Sequence, residues 1–292
     1  MAPVSLNRLR NLLVAYTASV VVGMGGVRCN SSYASPLELT DAWRPLVSGI
    51  LVKEITLNPN ALFPSRIVFA RIDPDQVRVK VLRASEFGFS RLSAHDVAVQ
   101  SNAHLVINAN FFDEHGAPLG LVLSNGTMHH PIHRGGRTLT GVFQELHRGF
   151  AIVHRDSFSP HGVVEAVQAG PRLLAGGAPV EGVKDSLSTR RSGICINKEG
   201  AIIIFCVSSG LFSFSIQSLQ DLLLSESLNC VDALNLDGGS SSQLYARTTL
   251  ESGAASETVS VEGTDRVPVF IGFFASQLRE EEAQAAELQP PP

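Results

Sequence analysis

Val77-Arg78-Val79-Lys80-Val81 alternates apolar and charged side chains without a break. A side-chain period of two lines one face of a strand and cannot line one face of a helix. Arg66 to Ile72, closed by Asp73-Pro74-Asp75, is read as the hairpin partner of this strand. Comparable short runs recur: Leu119 to Leu123 with Thr127 onward, joined by Asn125-Gly126, then Gly141 to Gln144, Phe150 to Val153, Gly193 to Ile196, Ala201 to Val207 and Val267 to Phe274. Asn-Gly tolerates the positive φ of a tight hairpin turn. The 292 residues include 25 Gly and 15 Pro, enough turn-formers to favour many short strands over a helical bundle. The expected class is α+β: a mixed, largely antiparallel sheet core with a few flanking helices.

The two ends read differently from the middle. Arg8 and Arg10 precede an apolar run from Leu12 to Val22, which loosens at Gly23, Gly25 and Gly26 before Arg28. That run is short of the roughly 20 apolar residues of a membrane span. With Ser32-Tyr33-Ala34 as a small-x-small cleavage pattern, residues 1–34 read as an export signal, the alternative being an uncleaved N-terminal anchor. The expected location is periplasmic or secreted, with a membrane contact only through such an anchor. Cys29 suggests a lipoprotein, but Arg28 before it is wrong for that signal. Gln277 to Leu288 and the closing prolines form a polar tail over 277–292, leaving one domain over 37–276. A formal charge of −4 and no basic stripe argue against a nucleic-acid partner. Past the export segment, Cys195, Cys206 and Cys230 are odd in number, and Cys195 and Cys206 do not face one another across a symmetric hairpin, so buried, inert thiols are expected.

Ser93-x-x-Asp96 and Ser218-x-x-Asp221 each read as the start of a short helix, a capping hydroxyl three residues before a carboxylate. Each helix leads into an apolar strand that ends in polar residues. The first strand ends at Asn108-Ala109-Asn110-Phe111-Phe112-Asp113, the second at Asp237-Gly238-Gly239-Ser240-Ser241-Ser242. Ligands commonly sit at such strand ends, so the two segments are expected to converge on one pocket.

Asp237, held partly out of water at its strand end, suits acid, base or nucleophilic chemistry, and Gly238-Gly239 allows a sharp turn whose N–H groups approach a ligand. An Asp that merely organises its own turn is the competing reading. Asn108 and Asn110 offer uncharged donors and acceptors suited to sugar hydroxyls, or else cap the strand end. One guanidinium of Arg190-Arg191 can reach the same edge and fork onto phosphate. His129-His130-Pro131-Ile132-His133-Arg134-Gly135-Gly136-Arg137 concentrates imidazoles, guanidinium groups and a glycine pair, a loop able to bind an anion or supply an acid. Its spacing fits no zinc pattern. No cofactor is required; a divalent cation such as Ca²⁺ on Asp237 and nearby backbone oxygens lacks a recognisable ligand loop. Ser240-Ser241-Ser242 lacks the Gly-x-Ser-x-Gly elbow of a serine hydrolase.

In order, Asn108-Ala109-Asn110-Phe111-Phe112, Pro118-Leu119-Gly120 with Asn125-Gly126, Ala169-Gly170-Pro171-Arg172-Leu173, Arg191-Ser192-Gly193-Ile194 and Asn235-Leu236-Asp237-Gly238-Gly239-Ser240-Ser241 resemble the phosphodiester glycosidase family, over roughly 105–274. The resemblance implies hydrolysis of the bond between a sugar's anomeric carbon and a phosphodiester, giving free sugar and a phosphomonoester, on envelope or exopolysaccharide glycans. It implies Asp237 as base or nucleophile and Arg191 with the Gly238-Gly239 turn on phosphate. Asn108, Asn110, Ser240 and Ser241 then line the substrate, with Asp113 or His133 as acid. The family's Asn-Gly-Gly-Phe is here Asn108-Ala109-Asn110-Phe111, and Ser240 replaces a frequent third glycine. The added Cβ atoms narrow the pocket floor, so a different sugar is expected. A non-catalytic glycan-binding protein of the same fold, or a hydrolase of ordinary polysaccharide linkages, are the alternatives.

Overall fold

The computed structural model describes residues 42–57, 65–147, 149–183, 190–208, 215–248 and 257–275. The export segment and the tail read from the sequence lie outside the described residues, as does the start of the domain at 37. Along the chain run β1 (Arg44–Val47), β2 (Ile50–Leu57), β3 (Ser65–Ile72), β4 (Val77–Arg83), α1 (Ala94–Ser101), β5 (Leu105–Asn108), β6 (Val122–Ser124), β7 (Thr127–His130), β8 (Gly141–Leu146) and β9 (Gly149–His154). They continue as β10 (Val163–Ala169), β11 (Arg172–Ala175), β12 (Ala178–Pro179), β13 (Arg191–Asn197), β14 (Ile202–Ser208), α2 (Ile216–Leu223), β15 (Cys230–Asn235), β16 (Leu244–Arg247), β17 (Thr258–Val261) and β18 (Val269–Ala275). Among the described residues no helix is long and apolar enough to cross a membrane.

The strands form three sheets, ordered β1-β2-β3-β14-β13-β15-β11-β12, β7-β6-β10-β8-β9 and β17-β16-β5-β18-β4. Described neighbours pair antiparallel throughout, so the largely antiparallel core expected from the sequence is present, without a parallel component among the described strands. Helix content is lower than an α+β label suggests.

One core lies between all three sheets: Val68, Ala70 and Ile72 from the first, Val122, Phe143 and Val167 from the second, and Val79, Val81 and Ile271 from the third. Helix α2 covers the outer face of the first sheet through Ile216, Leu219 and Leu223, which pack with Phe69, Ile203 and Phe205. Helix α1 covers the third sheet through Val97 and Ala98, against Val106 and Phe270. A strand covered on both faces needs apolar side chains on both. This accounts for the unbroken run Ile202-Ile203-Ile204-Phe205-Cys206-Val207 in β14, where β4, one face outward, alternates.

Two local expectations are corrected. Strand β4 is not the hairpin partner of β3: β2 and β14 occupy both edges of β3, and β4 pairs with β18 in another sheet. The turn at Asp73 therefore carries the chain from sheet to sheet across the shared core. Helix α1 starts as expected, Ser93 accepting from the Asp96 N–H and Asp96 reaching back to the Ser93 N–H. Helix α2, however, is capped by Ser215, which accepts from the Ser218 N–H at 3.0 Å; Ser218 is already inside the first turn. Ser215 supplies the same cap chemistry three residues earlier.

The cysteine expectation also changes. Cys195 in β13 and Cys230 in β15 are joined by a disulfide, with Cα atoms 5.9 Å apart. A register shift between Ile196 and Asn197 brings Cys230 opposite Asn197 rather than one residue further along, close enough for the bridge. Among the described residues Cys206 alone remains a free thiol; burial pushes its pKa up to about 12, and the Ser192 hydroxyl lies near its sulfur.

Candidate active site

Strands β5 and β15 belong to different sheets, yet their C-terminal ends meet. The Asp237 N–H donates to the Ala109 carbonyl at 2.9 Å, and the Leu236 N–H donates to the Ser192 carbonyl at 2.9 Å. Three segments far apart in the chain are thereby fastened at one point. The convergence expected from the two helix–strand units is present, and β13 joins it.

Asn108 is the fastener. Fully buried, it donates from Nδ2 to the Asp237 carbonyl at 2.7 Å, while its Oδ1 accepts from the Ser192 hydroxyl at 2.7 Å and the Gln243 N–H at 3.0 Å. Three of the four hydrogen-bonding positions of the amide are thus committed to protein. A side chain so occupied positions Asp237 rather than holding a sugar hydroxyl, and the substrate role read from the sequence is corrected accordingly. Asn110 is the opposite case: only 2% exposed, with neither Nδ2 nor Oδ1 bonded. Buried polar atoms are nearly always paired, so such an amide is suited to a ligand or an ordered water.

The Asp237 carboxylate is half-buried, and its pKa is pushed up to about 6. Burial is the main cause. The Ser241 side chain and the Gly238 N–H oppose it by hydrogen bonding, and the like charge of Asp265 adds to the rise. The carboxylate is thus tuned to change protonation in mildly acidic water. The turn after it is tightly held. The Gly239 N–H donates to the Arg190 carbonyl at 3.0 Å, Arg190 Nη2 donates to the Ser242 carbonyl at 2.9 Å and to the Glu262 carbonyl, and the Ser240 hydroxyl meets the Asp265 carboxylate. Thr264 and Asp265 donate their N–H groups to the Ser240 carbonyl at 3.0 and 3.1 Å. With the Gly238 N–H engaged by Asp237 and that of Gly239 by Arg190, the turn does not present the free amide pair read from the sequence. Ser241 is buried beside Asp237, whereas Ser240 is exposed and faces Asp265.

Arg191 is buried in β13, two residues from Gly193, which lies opposite Asn235. Alternation along the strand therefore puts Arg191 on the Asn235 face of the sheet. Arg190, its neighbour, is the residue that locks the Asp-Gly-Gly turn.

Of the two acids read from the sequence, Asp113 is committed to its own turn and His133 lines a neighbouring cavity. Asp113 Oδ1 accepts from the N–H groups of His115 and Ala117 at 2.9 and 2.8 Å. These bonds, that from Ala117 first, hold its pKa below the usual carboxylate value. A carboxyl kept ionised as a turn organiser is a poor proton donor, and the acid role is corrected. His133 is exposed and lines a cavity of about 260 Å³ with Phe111, Leu119, Gly135, Gly136, Thr138 and Leu139. Phe111 adjoins Asn110, and the Thr138 carbonyl crowds Gly170, whose own carbonyl accepts from Asn235 Nδ2 at 3.2 Å. The cavity thus borders the Asp237 strand end. Phe112 points elsewhere, under the Arg91 guanidinium at 4.7 Å from the ring centre. Among the described residues no three His, Cys, Asp or Glu side chains converge as a metal-binding group.

Asp265 and Gln243 were not singled out from the sequence, and Ser192 only as part of the block Arg191-Ser192-Gly193-Ile194. Each is an ordinary polar residue whose place depends on partners far away in the chain. Only the abundance of polar side chains between the apolar runs hinted at them.

Comparison with known proteins gives the same organisation a family. The E. coli (strain K12) protein YigE, described as uncharacterized, is 28% identical over 142 residues, covering 44% of this chain and 56% of that protein. The chain thus spans little more than half the length of that curated relative. The catalytic domain of zebrafish N-acetylglucosamine-1-phosphodiester alpha-N-acetylglucosaminidase, auto-inhibited by its pro-peptide, superposes with a TM-score of 0.57 at 18% identity, over 78% of this chain and 82% of that one. A hypothetical protein from Synechocystis superposes with a TM-score of 0.51 at 18% identity, over 80% of this chain and 64% of that one. These two likenesses are of fold. A family model described as phosphodiester glycosidase matches residues 101–274, which takes in β5, the cavity loop, β13, Asp237 and β18. The chain belongs to the phosphodiester glycosidase family.

Proposed function

We propose that this protein is an exported glycosidase that cleaves a sugar-1-phosphodiester into free sugar and a phosphomonoester. The observation that carries the reading is Asp237: a half-buried carboxylate of raised pKa at the junction of three segments, bonded to Ala109 next to the buried, unbonded amide of Asn110, which in turn adjoins the cavity residue Phe111. Ionised Asp237 takes a proton from water as the water oxygen attacks the anomeric carbon. The bond from that carbon to the phosphate oxygen breaks, and the phosphomonoester leaves with the electron pair. Glycoside hydrolysis ordinarily calls on a second carboxyl group to protonate the leaving oxygen. A phosphate leaving group is weakly basic and is helped more by positive charge, so a site in which Asp113 is no acid is consistent with it. Asn110 is assigned to the sugar and Arg191 to the phosphate.

Export has support in the Cys195–Cys230 bridge, since disulfides persist in oxidising compartments. A glycosyl phosphate of the cell envelope or of an exopolysaccharide is the substrate class we favour.

The test is incubation with a sugar-1-phosphodiester and assay of released reducing sugar, with Asp237→Asn in parallel. Release by the wild type and none by the variant, at unchanged thermal stability, is expected; equal release by both overturns the assignment. Arg191→Ala is expected to lower kcat/KM on the phosphodiester more than on an aryl glycoside with an uncharged leaving group. Equal losses remove the phosphate role.

A further inference from the structure

The Gly238-Gly239 turn spends its amides internally, and a different loop has the opposite construction. His133, Gly135, Gly136 and Thr138 of this loop line the cavity of about 260 Å³, together with Phe111, Leu119 and Leu139. Carbonyl groups of the loop are drawn onto two supports. Gln168, fully buried, donates from Nε2 to the carbonyls of His133 at 2.6 Å and Leu139 at 2.9 Å, and accepts from the His133 N–H at 2.7 Å. Arg155 donates to the Gly135 carbonyl, to that of Gly136 at 2.8 Å and to that of Leu139 at 3.2 Å.

In a trans peptide the N–H points opposite to the C=O of the same unit. Carbonyls of His133, Gly135 and Gly136 that face Gln168 and Arg155 therefore turn the N–H groups of Arg134, Gly136 and Arg137 away from those supports. None of the three amides has a hydrogen-bond partner among the described residues. Gly136 adopts φ +68°, so successive amides sit in a left-handed turn, the kind of backbone that forms an anion-binding concavity. Arg134 and Arg137 are exposed, and neither forms an ion pair among the described residues. Phe111, which lines the cavity, is preceded in the chain by Asn110, whose buried side-chain amide is unbonded and uncharged. Two exposed guanidinium groups and three amides without a protein partner among the described residues thus surround the Gly135-Gly136 stretch that lines the cavity.

We propose that the His133–Thr138 loop is a phosphate subsite: the Gly136 and Arg137 N–H groups and the Arg134 and Arg137 guanidinium groups hold the phosphate oxygens, while the sugar lies toward Asn110. The proposal rests on the glycosyl-phosphodiester reading and adds the loop to Arg191 as a holder of the same phosphate. It sets substrate direction within the cavity.

The test uses the full chain labelled with ¹⁵N, titrated with inorganic phosphate, beside the double variant Arg134→Ala/Arg137→Ala. Saturable shifts at the Gly136 and Arg137 amides are expected, with phosphate affinity about tenfold weaker in the variant, as for loss of charge-assisted hydrogen bonds. KM for a sugar-1-phosphodiester should rise more than KM for an aryl glycoside. Phosphate that moves neither amide, or binds the variant equally, overturns the subsite. If the wild type releases no sugar but phosphate still saturates the Gly136 amide, the hydrolase reading falls and the subsite stands. If sugar is released with a KM that the double variant leaves unaltered, the subsite falls and the hydrolase stands.

Discussion

In the proposed reaction the role of Asp237 and its surroundings pull against each other. As a base it must be ionised, but burial, with Asp265 adding its charge, raises its pKa to about 6. Proton loss occurs as pH rises through that value, so kcat/KM should fall about tenfold for each pH unit below it and level off above. A profile with no acidic limb between pH 5 and 7 would contradict the assignment of the raised carboxylate of Asp237 as base. The Asp265 contribution can be isolated: Asp265→Asn removes a like charge, so the limb should move to lower pH, read from the same profile. Asn108 bears on the same atom by another route. Asn108→Ala withdraws the amide from the Asp237 carbonyl, the Ser192 hydroxyl and the Gln243 N–H, leaving buried groups unpaired at about 1–3 kcal/mol each. Lower kcat together with a lower melting temperature is expected, whereas Asp237→Asn should spare the latter. Asp237 was legible in the sequence because an acid closing an apolar strand before two glycines is uncommon. Asn108 was legible as a site residue but not in its role. An amide's partners are set by which strands meet, and Ser192 and Gln243 stand 84 and 135 residues away.

At the scale of elements, the site is a junction of strand ends, and its precision depends on how those ends are pinned. Gly170 is where the cavity loop touches the β10–β11 connection: a Cβ there would fall 1.9 Å from the Thr138 carbonyl oxygen, with φ at +155°. Gly170→Ala is therefore expected to displace the 138–140 segment, costing several kcal/mol, on the order of a severe packing mutation, and to lower activity more than a surface substitution. Denaturant unfolding and the sugar-release assay together check it. Cys195–Cys230 pins the strand that carries Asp237 to β13 across a separation of 35 residues. Closing a loop of that length lowers unfolded-state entropy by about 3–4 kcal/mol in the chain-entropy account. Reduction, or Cys195→Ser with Cys230→Ser, should lower stability by up to that amount; no change in the unfolding midpoint would refute the bridge. Strands such as β4, β8 and β14 were legible because periodicity and burial are written locally. Their pairing was not. The β3–β4 hairpin was a fair reading of one turn, but pairing depends on which edges are free, and β2 and β14 had taken both. The disulfide escaped for a similar reason: a register shift in β13–β15 is invisible in composition.

Across the whole molecule, the three sheets share a core, and one buried carboxylate ties two of them together. Glu165 on β10 accepts from the Val81 N–H of β4 at 2.8 Å and from the Asn125 N–H at 3.0 Å. Its burial nevertheless raises its pKa, and its cross-strand neighbour Glu145 is raised as well, by its own burial and then by the charge of Glu165. With Asp237, three carboxyl groups thus bind protons more readily folded than unfolded. Stability falls with rising pH wherever the folded chain holds more protons, so these groups destabilise the fold when ionised and cease to do so as pH drops toward their unfolded values of 3.8 and 4.5. Asp113 and Asp96 act in the other direction. Hydrogen bonding holds Asp113 down, with the Ala117 N–H foremost; at Asp96 burial pushes upward, but the bonds with Ser93 outweigh it. Their contribution is present above 3.8 and lost as pH falls through their lowered values. The raised carboxyl groups thus favour a melting temperature that falls as pH rises toward about 6, while His104 and His129, held below 6.5 chiefly by burial, act in the opposite sense, and thermal denaturation across pH reads their balance. Glu165→Gln supplies the decisive comparison. The amide forfeits one acceptor and should lower the melting temperature throughout, but it also removes one titrating group and its charge on Glu145, so the loss of stability with rising pH should flatten. A variant that is less stable yet keeps the wild-type slope would mean that the buried pair is not what couples this fold to acidity.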